Sequence, residues 1–203
     1  MANEKPTIFT IGHSNHTLDK FLALLSRHGV TAVADVRSEP YGRLDYFNRE
    51  ILSAALKSAG IEYIFLGREL GARREERECY VDGRAAYEKI AKLPAFQEGL
   101  SRLLNHARTH CLAIMCAEKE PLDCHRTILI CRQLRDCGLQ IKHILSDGDL
   151  ENHAHAEKRL VKKMKIERTL FEPNLTEEEM IERAYNERAH EIEFCYDYEG
   201  MPL

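Results

Sequence analysis

Five short apolar runs recur along the chain, and segments with helical spacing separate them. The runs cover residues 7–11, 31–36, 61–66, 111–116 and 139–145, and their length and β-branched side chains are typical of buried strands. Strands that alternate with helices form βαβ units with right-handed crossovers, which generate an open parallel sheet. The alternation therefore predicts an α/β fold: a Rossmann-like open parallel sheet of about five strands, with helices on both faces.

Signals for helix starts and stops lie between and after these runs. They predict helices over residues 17–28, 48–59, 94–107, 124–137, 153–164 and 176–188. The last of these helices opens with Thr176 and Glu179, which form a capping-box pattern. We expect an α/β domain over residues 1–164 and a C-terminal helical extension over residues 165–203, which packs on the domain or on a partner subunit.

The composition excludes several classes of protein. Hydrophobic residues make up 44% and charged residues 31% of the chain, which excludes disordered and collagen-like proteins. We expect a cytoplasmic protein without membrane contact, because the sequence lacks a signal-peptide pattern and a long apolar stretch. Most of the seven cysteines should then be thiols, and the sequence leaves the redox state of Cys116 and Cys124 open. The net charge of −4 argues against a broad nucleic-acid-binding face, and the charge run over residues 73–78 is typical of a solvated surface.

Polar or glycine-rich residues follow every predicted strand. In open parallel sheets, ligands bind outside the carboxyl ends of the strands, where helix N-termini also point inward. The sequence therefore predicts a single site at this edge of the sheet. The predicted substrate-binding residues are His13, Ser14, Asn15, Asp35, Arg37, Arg43, Arg73 and Arg126.

The connection after the fourth strand carries the most specific chemistry. Pro121 discourages an early helix, so Cys124 should lie near a helix N-terminus, where its thiolate is favoured. His125 can transfer a proton near neutral pH, and Arg126 can bind a carboxylate or phosphate with two hydrogen bonds. The predicted catalytic residues are Cys116, Glu118, Cys124 and His125.

Purely structural roles for these residues also stay open. Cysteines at strand ends often only pack, and His13 or His125 can simply order a loop. Asp35 and Arg37 can form a structural ion pair.

Familiar cofactor and metal signatures are missing. No loop supplies a three-glycine dinucleotide fingerprint or a P-loop lysine, so the cofactor is left open. In cysteine phosphatases an arginine ends the loop that follows the cysteine, but Leu122 and Ile130 stand at that place after Cys116 and Cys124. Zinc could draw on these cysteines with His125, or on the pair His153 and His155. We expect no metal site, because no Cys-x-x-Cys pair exists.

Three motifs together resemble those of the DUF488 family. They are Thr10-Ile11-Gly12-His13-Ser14-Asn15, Asp35-Val36-Arg37, and Cys116-Ala117-Glu118 through Pro121 to Cys124-His125-Arg126. The resemblance extends over most of the chain, including the tail around Ala184-Tyr185. DUF488 is a domain of unknown function, so the resemblance implies a fold and a shared motif set but no reaction. Ala72, where a second glycine is usual, and Leu122, where an aromatic residue is frequent, depart from the pattern and affect the rim of the pocket.

The residues at the predicted strand ends favour an enzyme that acts on a small anionic or nucleotide-like substrate. In this hypothesis Cys124 is a nucleophile or redox thiol, and Glu118 and His125 transfer protons. One alternative is a non-catalytic module that binds a nucleotide or a nucleic-acid end. A second alternative is a thiol or metal sensor. The sequence leaves the substrate and the oligomeric state open.

Overall fold

A computed structural model describes residues 5–170 and 172–195 of the 203-residue chain. The strands are β1 (Thr7–Gly12), β2 (Ala32–Asp35), β3 (Glu62–Phe65), β4 (Tyr80–Val81), β5 (Arg84–Ala85), β6 (Leu112–Cys116), β7 (Gln140–Ile144) and β8 (Leu150–Asn152). The helices are α1 (Leu18–Arg27), α2 (Arg49–Ser58), α3 (Gly67–Leu70), α4 (Tyr87–Ile90), α5 (Pro94–Ala107), α6 (Arg132–Leu134), α7 (His153–Lys163) and α8 (Glu177–Ile192). None of the helices in the described part combines the length and apolar character needed to span a bilayer.

The main sheet has the strand order β3-β2-β6-β1-β7-β8. The first five strands in this order are parallel, and β8 joins β7 in antiparallel orientation at the edge. This confirms the predicted Rossmann-like fold, with β8 as an addition. Gly12 pairs with Cys116 and Asp35 with Met115, so the carboxyl ends of β1, β2 and β6 lie side by side.

Residues along the central strands alternate between two apolar layers, as the pleat of a strand requires. On β6, Ala113 and Met115 face the layer that contains Phe21 of α1 and Leu52 of α2. Leu112 and Ile114, with Phe96 of α5 and Tyr185 of α8, belong to the other layer. Helices therefore cover both faces of the sheet, as predicted.

The helix predicted over residues 124–137 takes a different form. Cys124 is extended, with φ −138° and ψ 142°, and residues Arg126–Cys131 form a π-helix that continues into α6. A π-turn contains one residue more than an α-turn, so it shifts the side chains that follow it around the helix axis. Such insertions are rare in proteins as a whole, but those that occur are often found at functional sites. The correction matters because this π-helix begins directly after His125.

The charge run over residues 73–78 is only partly solvated, contrary to the prediction for the whole run. Arg74 is buried, and its guanidinium donates to the carbonyl oxygens of Arg68 and Glu69 and pairs with Glu76. These carbonyls belong to the short helix α3, whose final C=O groups have no partners within the helix. Arg74 therefore caps α3 instead of facing solvent.

A buried hydrogen-bond chain ties α8 to the centre of the sheet. Thr10 Oγ1 lies 2.8 Å from His143 Nδ1, His143 Nε2 lies 3.0 Å from His153 Nδ1, and the Tyr185 hydroxyl lies 3.0 Å from His153 Nε2. The same hydroxyl donates to Glu157 Oε1, also at 3.0 Å. Because a carboxylate only accepts, every donor in the chain points from Thr10 towards Glu157. The C-terminal helix thus packs on the domain itself, and its predicted capping box at the N-terminus is present.

Candidate active site

The loops after β1 and β6 run against each other at the carboxyl edge of the sheet. The backbone N–H groups of His13 and Ser14 donate to the carbonyl oxygens of Cys116 (2.9 Å) and Ala117 (2.8 Å). Ser14 has a φ of 49°, which side chains other than glycine rarely adopt. A Cβ atom on Gly12 would lie 1.8 Å from the carbonyl oxygen of Glu118, so only glycine fits at this crossing.

Four side chains converge beside this crossing, and we call them the thiol cluster: Cys116, Glu118, Cys124 and His125. Their sulfur, nitrogen and oxygen donor atoms all lie within 4.8 Å of one another. The Cys124 thiol donates to Glu118 Oε2 at 2.8 Å. Nδ1 of His125 lies 3.5 Å from Cys116 Sγ and 3.9 Å from Cys124 Sγ. The structure therefore brings all four predicted catalytic residues together.

The orientation of His125 is fixed from its far side. Its Nε2 lies 3.0 Å from the carbonyl oxygen of Val36, and a carbonyl only accepts hydrogen bonds. The proton of the neutral ring therefore resides on Nε2. The unprotonated Nδ1 then faces the two sulfur atoms and can accept a proton from either thiol.

Arg126 lies behind the cluster and is fully buried. Its guanidinium donates to the carbonyl oxygens of Glu118 (2.7 Å) and Lys119 (3.3 Å). Its backbone N–H donates to Cys124 Sγ at 3.4 Å. Among the described residues its Nε has no hydrogen-bond partner. Arg126 thus holds the loop after β6 and places a positive charge next to the thiols.

Burial and mutual contact set the acidity of the cluster. Burial opposes ionisation of Cys124, yet the neighbouring Cys116 thiol, the charge of Arg126 and the contact with the His125 ring hold its pKa well below the usual range. Burial and the contact with Cys124 raise the pKa of Cys116 well above that of a free thiol. Burial and Cys124 also raise the pKa of the Glu118 carboxyl. For His125, burial is outweighed by Cys124, and its pKa is raised. The surroundings of the cluster therefore favour the thiolate at Cys124 and disfavour it at Cys116.

Asp35 and Arg37 form a buried ion pair at the carboxyl end of β2. Two hydrogen bonds join their side chains, Nη2 to Oδ2 at 2.6 Å and Nε to Oδ1 at 2.9 Å, and the Tyr63 hydroxyl donates to Asp35 at 2.7 Å. Arg37 also lies 3.3 Å from His13 Nε2. Burial and the charge of Arg37 lower the pKa of His13 from 6.5 to about 4, so His13 is neutral near pH 7. His13 stacks on Phe47, with ring centroids 4.3 Å apart.

Two adjoining cavities of about 390 and 360 Å³ open above these residues, and we call them together the site cavity. The first is lined by His13, Ser14, Asn15, Arg37 and Arg43, and the second by Arg73, Cys116 and His125. Glu118 borders both. The remaining predicted residues, Asp35, Cys124 and Arg126, lie behind the cavity walls. Arg73 is exposed, pairs with Glu39 and lies 4.6 Å from the ring centroid of Phe194.

The C-terminal helices hold the loop that leads to Cys124. Arg159 of α7 pairs with Glu120 at 2.8 Å, and Lys163 of α7 pairs with Asp123. Arg188 of α8 reaches Asp123 at 2.6 Å and donates to the carbonyl oxygen of Leu122 at 2.9 Å. Two helices that are distant in sequence therefore fix this loop.

Several residues at the site were not predicted. Lys119 and Phe47 line the first part of the cavity, and Tyr87 lines the second. Lys119 follows Glu118 just after β6. The expectation that ligands bind at the carboxyl ends of the strands could therefore have placed Lys119 among the predicted site residues. Tyr87 lies on α4, whose single turn leaves no periodic signal in the sequence.

The family model for Domain of unknown function DUF488 matches residues 17–132. This segment includes β2, β6 and the whole thiol cluster, but not the β1 loop with Gly12 and His13. The match is thus narrower than the resemblance of the motifs, which extends from Thr10 to the tail. The chain matches no curated protein and no solved structure.

Proposed function

This chain belongs to the DUF488 family, whose function is unknown, and on that premise we propose that it is an enzyme that acts on a small anionic or nucleotide-like substrate through a cysteine thiol. The observation that carries the proposal is the contact of Cys124 Sγ with Glu118 Oε2 at 2.8 Å, beside a cavity with cationic side chains. A nucleophile and a base within hydrogen-bond reach, with further groups that orient them, are typical of covalent catalysis.

Each member of the thiol cluster has a role in the proposed reaction. Glu118 takes the proton of the Cys124 thiol, and the sulfur then forms a bond to an electrophilic centre of the substrate. The bond to the leaving group breaks, and Glu118 returns the proton that it took from Cys124 to that group, directly or by way of His125 Nδ1. The backbone N–H and the guanidinium of Arg126 stabilise the thiolate in the meantime. Cys116 lies at the cavity wall next to Cys124, and its contact lowers the pKa of the Cys124 thiol.

Glu118 also controls access in this proposal. Cys124 is only 1% exposed. Glu118 lies on the loop after β6, borders both parts of the site cavity and contacts Cys124. Rotation of the Glu118 side chain, after it has accepted the proton, opens the path from the cavity to the sulfur.

The side chains around the site cavity favour an anionic substrate. Arg43 and Lys119 lie at the rim of the first part and Arg73 at the rim of the second. Arg37 adds charge from below, although Asp35 offsets it. The volume is in the range of small-molecule sites, and the neutral His13 ring stacked on Phe47 offers a flat apolar surface to a planar group.

Alkylation kinetics test the proposal. The reduced, chelator-treated protein is incubated with iodoacetamide between pH 5 and pH 9, values that bracket the ordinary thiol pKa of roughly 8.5, and each cysteine is followed by mass spectrometry. We expect Cys124 to react at pH 7 faster than the exposed Cys137, and Glu118→Gln to slow it. Cys137→Ser is the matched control and should leave the rate at Cys124 unchanged.

A second arm tests the anion. Inorganic phosphate or a nucleoside monophosphate should protect Cys124, and Arg43→Ala combined with Lys119→Ala should weaken the protection. Cys124 that reacts only after unfolding would refute the thiol mechanism. Fast alkylation that no anion slows would refute the substrate class.

A further inference from the structure

We infer that the thiol cluster binds one divalent transition-metal ion of the zinc type, with Cys116, Cys124 and His125 as ligands and Glu118 in the fourth position. This inference goes beyond the proposed function and does not depend on it. The sequence predicts no metal here because the two cysteines lack Cys-x-x-Cys spacing. The loop after β6 nevertheless turns back and places Cys124 beside Cys116.

The distances in the cluster fit a tetrahedral ion. Zinc binds sulfur at about 2.3 Å and nitrogen at about 2.0 Å, so tetrahedral ligands lie roughly 3.5 Å apart for sulfur and nitrogen. The observed distances from His125 Nδ1 to the two sulfur atoms are 3.5 and 3.9 Å. Glu118 Oε2, at 2.8 Å from Cys124 Sγ, is closer because a proton joins the two atoms. When an ion replaces that proton, the carboxylate has to move by less than about 1 Å.

The histidine is already oriented as a ligand. Metal-binding histidines nearly always donate their second ring N–H to a carbonyl or carboxylate, which fixes the tautomer and the ring plane. The contact of His125 Nε2 with the Val36 carbonyl at 3.0 Å is this second interaction. The Nδ1 lone pair is thereby directed at the sulfur atoms, and binding requires no rotation of the ring.

A divalent ion also balances the charge of the cluster, in which Cys116, Cys124 and His125 are buried and Glu118 is exposed. Two thiolates and the Glu118 carboxylate carry three negative charges, and the buried guanidinium of Arg126 next to them carries one positive charge. A divalent ion brings the sum to zero, which an enclosed site requires. In the absence of the ion, protons fill this role, and binding releases them to solvent.

The cluster is accessible to an ion from the site cavity. Cys116, Glu118 and His125 border the cavity, and Glu118 lies on the surface loop, so it is the ligand that can exchange. The equally buried Cys131 belongs to no such donor group among the residues that the structure describes. The donor set is therefore specific to this loop and is not a general property of the buried cysteines.

Metal binding and thiol reactivity exclude each other at Cys124. An ion occupies the sulfur lone pair that the nucleophile would use, so the metal-bound protein is protected from alkylation. The protein thus has a reactive metal-free state and a protected metal-bound state.

Cobalt titration of the reduced, metal-free protein tests the inference. We expect one equivalent of Co²⁺ to produce a thiolate-to-cobalt charge-transfer band and the intense visible bands of tetrahedral cobalt, and Zn²⁺ to abolish both. Cys116→Ser and Cys124→Ser should each weaken cobalt affinity and reduce the charge-transfer intensity per bound cobalt, the double variant should lose the band, and Cys137→Ser should keep it in full. Glu118→Gln should keep the band but weaken affinity at least tenfold.

A surface group of Glu62, His106 and His110 provides the main competing site. It has no sulfur donor, so cobalt bound there gives no thiolate band, and His110→Gln should remove that binding. Cobalt binding without a thiolate band, lost in His110→Gln, would overturn the inference. A thiolate band of undiminished intensity in Cys124→Ser would overturn it as well.

Protection of the wild-type protein gives a readout that does not depend on variants folding. Equimolar Zn²⁺ should slow iodoacetamide at Cys124 at least tenfold and leave Cys137 unchanged. Fast alkylation of Cys124 with no effect of Zn²⁺ would overturn the metal site and leave the proposed enzyme intact. A thiolate–cobalt band in a protein whose metal-free Cys124 does not react would support the metal site and refute the proposed enzyme.

Discussion

Replacement of Arg126 by lysine tests what the buried guanidinium does. In the structure it is fully buried and donates to two carbonyl oxygens of the loop after β6, at 2.7 and 3.3 Å. A lysine ammonium keeps the charge but retains one of these hydrogen bonds and loses the fork geometry. Since a hydrogen bond from a charged donor contributes about 1.5–3 kcal/mol, Arg126→Lys should lower the free energy of unfolding by about that amount.

Urea denaturation followed by circular dichroism measures this loss, and phosphate protection of Cys124 measures anion binding on the same variant. We expect reduced stability with phosphate affinity changed less than twofold. Arg43→Lys is the matched control at the cavity rim, and it should leave stability unchanged. A variant that keeps its stability but loses phosphate binding would show that Arg126 holds the substrate anion, as the sequence predicts, and would refute its structural role in the loop after β6.

Three further predictions concern stability. Tyr185→Phe removes a hydroxyl that contacts His153 and a buried carboxylate, and urea denaturation should show a loss of about 1–3 kcal/mol. Gly12→Ala places a Cβ against a carbonyl oxygen of the opposing loop, so its thermal unfolding should show overpacking of about 1–3 kcal/mol. Burial lowers the pKa of His153 from 6.5 to about 4 and also lowers that of His143. As the pH falls, these histidines therefore bind protons in the unfolded chain before they do so in the folded protein. Urea denaturation as a function of pH should show the free energy of unfolding decreasing from pH 6.5 to about 4. The decrease should be about 1.4 kcal/mol per pH unit for each histidine. Replacing His153 by a neutral residue should flatten that pH dependence, and an unchanged slope would contradict the assignment.

The sequence predicts the sheet well because each central strand is a short run of buried and mostly apolar residues. Side chains are buried on both faces of the sheet, for example Val33 on one face and Ile114 on the other. Such apolar runs are typical of parallel strands that are covered on both faces. The strand β8 and the helices α3 and α4 were not predicted. Each is only three or four residues long, which is too short for a period to appear.

The site was predicted less completely than the fold. The rule that ligands bind at strand ends is sufficient to group Cys116, Glu118 and Cys124, because parallel strands end at one edge. It does not give the direction of a side chain. Arg126 begins a π-helical turn and Asp35 is enclosed by its partners, and both outcomes depend on contacts with residues distant in sequence.

The ion pairs between the C-terminal helices and the loop before Cys124 make the site respond to ionic strength. Their acidic partners, Glu120 and Asp123, are 38% and 42% exposed, so dissolved salt screens these contacts, while the buried pair of Asp35 and Arg37 is shielded. Added salt therefore loosens the loop on its C-terminal side and leaves the sheet intact. Cys124 should become easier to reach as the salt concentration rises, even for an uncharged reagent.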